Sequence, residues 1–163
     1  MGQDMRLYFL RHAEAFPGED DAARELSPFG RKQVRALARF LNRAGVQFDA
    51  AYTSPLVRAR QTAQILLKRV PVISSDGLQI TDALLNETSK PAFGQWLRHL
   101  PVSRHILLVG HMPSLSEHIG QLLGAADHGA FDLSKGALTC LKTEDRKPAR
   151  LKFSVSPSLL GLR

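Results

Sequence analysis

The chain has 163 residues, 44% hydrophobic and 23% charged, the size and composition of a single soluble globular domain spanning 1–163. Its 22 Lys and Arg against 15 Asp and Glu give a net charge of +7, yet the basic residues come in short pairs and only 7% of residues are aromatic, which argues against a base-stacking nucleic-acid surface. No apolar run reaches the roughly 18 residues of a membrane span, the polar start Met1–Arg6 does not read as a secretory signal, and the lone Cys140 allows no internal disulfide. The expectation is a cytoplasmic protein with no nucleic-acid or membrane partner; attraction of an anionic substrate accounts for the charge equally well.

In chain order, Arg6-Leu7-Tyr8-Phe9-Leu10 predicts a short buried strand ending at Arg11-His12. A polar loop from Glu14 to Glu25 follows. Ser27-Pro28 opens a helix as N-cap and first helical residue, with Val34, Leu37, Ala38 and Leu41 on one face and Gly45 as its stop. Asp49–Thr53 predicts a second strand. Ser54-Pro55 repeats the start signal for a helix with Ala59, Ala63, Leu66 and Leu67 on its apolar face, and Val70–Ser74 predicts a third strand. Asp76–Lys90 lacks a period and reads mostly as loop. Pro91–Leu100 predicts a short helix with Trp96 and Leu100 on one side. His105–Val109 is a continuous apolar strand running into Gly110-His111, and Pro113 starts a helix lined by Leu115, Ile119, Leu122 and Leu123, with His118 on its polar side. Gly136–Leu141 and Leu151–Val155 predict two final strands around a polar turn, Glu144–Lys147. Strands alternating with crossover helices predict one α/β domain around a mainly parallel sheet.

In such a sheet a site lies beyond the carboxyl ends of the strands. Arg11 and His12 stand at one such end, His111 at another, and Thr53-Ser54-Pro55 leads to Arg58 in the first turn of a helix, where free amides favour an anion. Arginine offers a planar fork of donors to phosphate oxygens, and a neutral imidazole is a nucleophile near neutral pH. Two guanidiniums and two imidazoles at strand ends point to a phosphoryl group. Taken singly, each has a structural alternative: His111 as an exposed or structural histidine, Arg58 as part of a solvated helix face. No histidine spacing resembles a metal cluster, so no metal and no cofactor is expected.

These segments resemble the histidine phosphatase superfamily. Leu10-Arg11-His12-Ala13 is similar to its Arg-His-Gly/Ala signature, Leu26-Ser27-Pro28-Phe29-Gly30-Arg31-Lys32-Gln33 to its Leu-Thr/Ser-x-x-Gly-x-x-Gln segment, Ser54-Pro55-Leu56-Val57-Arg58-Ala59-Arg60-Gln61-Thr62 to Ser-Pro-x-x-Arg-Ala-x-Gln-Thr, and Gly110-His111-Met112-Pro113 to Gly/Ser-His-x-Pro. Within it the chain resembles the SixA-type phosphohistidine phosphatases. The resemblance implies a three-layer, phosphoglycerate-mutase-like domain without large lid insertions. It implies that His12 is the nucleophile that becomes phosphorylated and that Arg11, Arg58 and His111 bind the phosphoryl oxygens, with His12 neutral and His111 cationic or hydrogen-bonding. Larger members use an acidic proton donor after the third strand. Here Glu87 falls in about that region, as donor or as an ordinary loop carboxylate.

The donor bears on substrate choice. A phosphomonoester leaves as an alkoxide that needs a proton, whereas phosphohistidine leaves as an imidazole that departs neutral. The leading expectation is a phosphatase acting through phospho-His12 on phosphohistidine of a signalling or carrier protein. The alternatives are a small-molecule phosphomonoesterase using Glu87 on an anionic phosphorylated substrate, and a non-catalytic phosphate-recognition module.

Overall fold

Alternate side chains of the first strand, β1 (Met5–Arg11), enter two different cores: Tyr8 and Leu10 one, Leu7 and Phe9 the other. The same division holds in β4 (His105–Gly110), where Leu107 and Val109 face the first core and Ile106 and Leu108 the second. Burial on both faces is why these strands read as unbroken apolar runs rather than alternating ones. The computed structural model describes residues 4–144 and 147–162.

The strands form one six-stranded sheet in the order β3-β2-β4-β1-β5-β6. β2 (Ala50–Thr53), β3 (Leu78–Ile80), β4 and β1 run parallel, and β5 (Leu138–Glu144) and β6 (Lys147–Val155) add an antiparallel edge. Helices α1 (Pro28–Arg43) and α2 (Val57–Leu67) cover the first core with Val34, Leu37, Leu41, Ala63 and Leu66. Helices α3 (Lys90–Arg98) and α4 (Ser114–Leu123) cover the second with Phe93, Leu97, Leu115 and Ile119. This is the three-layer α/β arrangement, with no large insertion among the described residues. β1 and β4 are neighbours whose following helices lie on opposite faces, which opens a crevice at their carboxyl ends.

Several local expectations need correction. Val70–Ser74 is not a strand: Val72 makes only an isolated parallel bridge to Phe48, since Pro71 has no amide to donate. The third strand is Leu78–Ile80, inside the stretch read as loop, followed by a 3₁₀ turn at Asp82–Leu84 capped by Thr81. It is an edge strand with Ile80 exposed, so it carries no periodic signal. Helix α2 starts at Val57 with no side-chain cap, so Ser54 is not its N-cap, although Arg58 stays in the first turn. Trp96 and Leu100 do share the core-facing side of the α3 segment, as expected, beside the more deeply buried Phe93 and Leu97. Of the expected polar turn Glu144–Lys147, residues 145 and 146 lie outside the described residues.

His118 is also not on a polar face. It is 1% exposed, stacked on Phe93 with ring centroids 4.0 Å apart, and both ring nitrogens lack a partner. A 3₁₀ turn at His128–Ala130 covers the side of α4 that would otherwise be wet: Ser116 Oγ donates to the His128 carbonyl, and the Cα of Gly120 lies against His128. Burial pushes the His118 pKa down from 6.5 to about 4. A group depressed on folding stabilises fully above its unfolded pKa and loses that contribution as pH falls through the folded value. Replacing His118 with leucine is therefore expected to remove on the order of 2 kcal/mol of the stability loss between about pH 7 and about pH 4. Urea denaturation at both pH values measures it, and parallel losses in variant and wild type would contradict it.

One glycine of α1 fixes the loop after His12. A Cβ on Gly30 would overlap the Glu14 carbonyl oxygen and come within 2.9 Å of its carbonyl carbon. Both sides of that clash are backbone, so neither yields by a rotamer change. Gly30→Ala is expected to cost about 2–4 kcal/mol in chemical denaturation; an unchanged midpoint would refute the close approach.

Candidate active site

The sheet register brings three strand ends together. Arg11 pairs with Gly110 and Thr53 with Val109; the amide of His12 donates to the Gly110 carbonyl, and that of Ser54 to Val109, both at 3.1 Å. His12 and His111 thereby stand side by side, ring centroids 5.2 Å apart. Arg58 returns from the first turn of α2, and its Nε donates to His12 Nε2 at 3.3 Å. Arg11, whose Nη1 donates to the Leu133 carbonyl at 2.8 Å, is near enough for its charge to act on both rings, so the four residues stand at the same strand ends. Arg58 and His12 are each only 7% exposed, so Arg58 does not belong to a solvated helix face.

The hydrogen bonds set the tautomer of His12. Its Nδ1 lies 2.8 Å from the Ala13 carbonyl, an acceptor only, so Nδ1 carries the proton. Nε2 is left with its lone pair toward the Arg58 guanidinium. Burial, then the charges of His111, Arg58 and Arg11, push the His12 pKa down from 6.5 to about 3, so the ring is neutral at pH 7. His111 is held down to about 4, by burial first and by Arg58 next. It is therefore neutral in the free protein rather than cationic. Its Nε2 lies 2.6 Å from Ser54 Oγ. The other ring nitrogen, Nδ1, is buried without a partner, as is Arg11 Nε. Two unpartnered nitrogens, His111 Nδ1 and Arg11 Nε, and the His12 lone pair form a set that matches the oxygens and electrophilic centre of a phosphoryl group.

Further side chains hold this geometry. The Arg58 Nη1 donates to the Asp21 carbonyl at 2.7 Å and Nη2 to the Asp21 carboxylate at 3.2 Å. Arg24 and Arg58 beside it keep the Asp21 carboxyl below the usual carboxylate range. Thr62 Oγ1 accepts from the Ala13 amide at 3.1 Å and donates to the Arg58 carbonyl at 2.7 Å, which ties the His12 loop to α2. Gln33 accepts from the Glu14 amide and Gln61 from the Leu26 amide, pinning the start and end of the intervening loop. Sequence reasoning missed these roles. Ser54 was legible only as a helix cap, and Asp21 is one carboxylate among several in its loop. Thr62, Gln33 and Gln61 lie inside the motif segments, and polar residues at helix positions facing the core were the available signal.

Glu87 lies in the turn before α3. It is exposed, and no hydrogen bond or ion pair among the described residues joins it to Arg11, His12, Arg58 or His111. Its neighbour Asn86 fastens the turn to the start of α4, donating to the Met112 carbonyl and accepting from the Ser114 amide. Among the described residues no three His, Cys, Asp or Glu are grouped as a metal site would need, and no helix is long and apolar enough to cross a membrane.

Known proteins resemble this chain in sequence and in fold. The profile of the histidine phosphatase superfamily (branch 1) matches residues 7–89. An uncharacterized protein of Picosynechococcus sp. is 36% identical over 118 residues, 69% of this chain and 70% of that protein. The mitochondrial serine/threonine-protein phosphatase Pgam5 of Drosophila ananassae is 38% identical over 65 residues, 39% of this chain and 22% of that protein. Among solved structures, the protein histidine phosphatase SixA complexed with tungstate superposes with a TM-score of 0.87 over 96% of this chain and 99% of that one, at 19% identity. A putative α-ribazole-5′-P phosphatase from Escherichia coli K-12 superposes with a TM-score of 0.75 over 94% and 98%, at 23% identity. At these identities the structural likeness is one of fold.

Proposed function

The chain belongs to the histidine phosphatase superfamily, and from that premise we propose that it is a phosphatase that removes phosphoryl groups from phosphohistidine on a protein through a phospho-His12 intermediate. The observation that carries the chemistry is the fixed tautomer of His12: Nδ1–H bound to the Ala13 carbonyl, Nε2 free beside Arg58. In the first step Nε2 attacks phosphorus in line, an N–P bond forms at His12, and the N–P bond of the substrate breaks. Arg11, Arg58 and His111 hold the three peripheral oxygens as charge shifts among them. In the second step water attacks phospho-His12, the new N–P bond breaks, and inorganic phosphate leaves.

The acid side of the site favours phosphohistidine over an ester. The carboxyl that touches the clamp is Asp21, and its arginine partners keep it ionised at neutral pH, so it has no proton to give. Glu87 makes no hydrogen bond or ion pair with the clamp among the described residues. A leaving imidazole protonated on its other nitrogen departs neutral without such a donor, whereas an alkoxide does not. The likeness to a protein histidine phosphatase fold supports the same reading. The expected partner is accordingly a phosphorylated protein.

A second reading, a small-molecule phosphomonoesterase, draws on the fold shared with an α-ribazole-5′-P phosphatase and on Asn86, which anchors the Glu87 turn beside His111. Phosphate release from a phosphohistidine carrier domain and from an aryl phosphate, in wild type and Glu87→Gln, separates the two. The expected result is fast release from the carrier domain, slow ester turnover, and no more than about threefold change in Glu87→Gln. A drop of 10²-fold or more in ester turnover, the scale of a lost general acid, with an inert phosphoprotein, would favour the second reading.

A further inference from the structure

The net charge of +7 is not spread evenly. Between Glu25 and Asp76 the chain carries one carboxylate, Asp49. That carboxylate is occupied at the amino end of the sheet, away from the crevice, accepting at 2.8 Å from the amides of Arg104 and His105. Over the same stretch α1 repeats arginine at Arg31, Arg35 and Arg39, four residues apart and hence on one side of the helix, and Lys68 and Arg69 follow the end of α2. These five side chains line a groove of about 310 Å³ between the two helices. All but the half-buried Arg31 are exposed, and none of the five is in an ion pair among the described residues. Like charges four apart on a helix repel, and solubility would be served equally by the same charges dispersed among carboxylates.

We propose that the α1–α2 groove is a docking surface for an acidic patch on the phosphorylated protein whose phosphoryl group is presented to His12. The groove leads toward the site: α2 carries Arg58 in its first turn, and Gln61, one turn further on, holds the Leu26 amide and the Glu25 carboxylate at the end of the active-site loop. The charge changes sign there. Glu19, Asp20, Asp21 and Glu25 are all exposed on that loop. A long polyanion or an anionic bilayer covering the groove would run onto these carboxylates, whereas a protein with a bounded acidic patch meets only the basic part. The groove also offers no aromatic side chain for a single-stranded nucleic acid to stack on. Such complementarity acts chiefly on encounter and partner selection.

This inference rests on the phosphohistidine reading only for the identity of the partner, and the test keeps the two apart. Wild type and the triple variant Arg35→Glu, Arg39→Glu, Lys68→Glu are compared in two assays at low salt. In the first, kcat/KM for a phosphohistidine carrier domain bearing an acidic patch is expected to fall at least about tenfold in the variant, mostly through KM, while aryl phosphate turnover is unchanged. In the second, a labelled short poly-glutamate peptide is expected to bind wild type and to lose at least about tenfold in affinity for the variant, with a duplex DNA and phosphatidylserine vesicles binding wild type more weakly than the peptide. Equal peptide binding by the two proteins, or tighter binding of DNA or vesicles, would overturn the surface. Peptide binding lost in the variant, with no phosphate released from the carrier by wild type, would support the surface and overturn the catalytic reading.

Discussion

Replacing His12 with alanine is expected to reduce phosphate release by on the order of 10⁴-fold or more, because it removes the attacking atom itself rather than a group that assists it. The fold should survive. His12 is buried, but its two side-chain hydrogen bonds, to the adjacent Ala13 carbonyl and from Arg58 Nε, are not part of the sheet ladder. The imidazole is neutral at pH 7, its pKa pushed down to about 3, so its removal takes no charge out of the crevice. Steady-state release from the phosphohistidine carrier, together with an unfolding curve, measures both effects. Residual activity within tenfold of wild type would mean that water attacks the substrate directly and that no covalent intermediate forms.

Arg58→Ala is expected to be the next most damaging change, lowering kcat by about 10²–10³-fold, the scale for loss of one preorganised charged donor. Arg58 does three things at once. It donates to His12 Nε2, holds Asp21 through both backbone and side chain, and supplies a positive charge that depresses both imidazoles. Lysine cannot reproduce this, since an ammonium has no planar fork with which to bind Asp21 and face His12 together; Arg58→Lys should recover little of the loss. Stability should fall far less than activity, because the Asp21 side chain left behind is 63% exposed and stays solvated. If kcat were preserved and only KM rose, Arg58 would bind substrate and transition state equally and its assignment to charge stabilisation would fail.

Much of this arrangement was legible in the sequence, for identifiable reasons. β1 and β4 are buried on both faces, so their apolar runs are continuous, and each ends in the residues that form the crevice. The start of α1 was legible because Ser27 and Pro28 act through local chemistry: Ser27 Oγ accepts from the Gly30 amide. The same Ser-Pro signal misled at Ser54, where a long-range bond to His111 uses the hydroxyl instead. β3 escaped because it is a short edge strand whose hydrogen bonds, not its side chains, define it. His118 escaped because what buries it is a turn distant in sequence. The convergence of Arg58 on His12 rests on a side chain folding back from a helix, which spacing alone does not encode. The four motif segments pointed to it through resemblance, and Asp21, which helps hold it there, carried no signal of its own.

The measurement that tests the central claim most directly is to mix the protein with a phosphohistidine carrier domain, quench within the first turnover under alkaline conditions, and locate the transferred phosphoryl group by ³¹P NMR and peptide mapping. The account predicts an acid-labile phosphoryl group on His12, attached at Nε2, since Nδ1 is committed to the Ala13 carbonyl. A phosphoryl group on His111, attachment at Nδ1 of His12, or turnover with no phosphorylated protein at any time would contradict it.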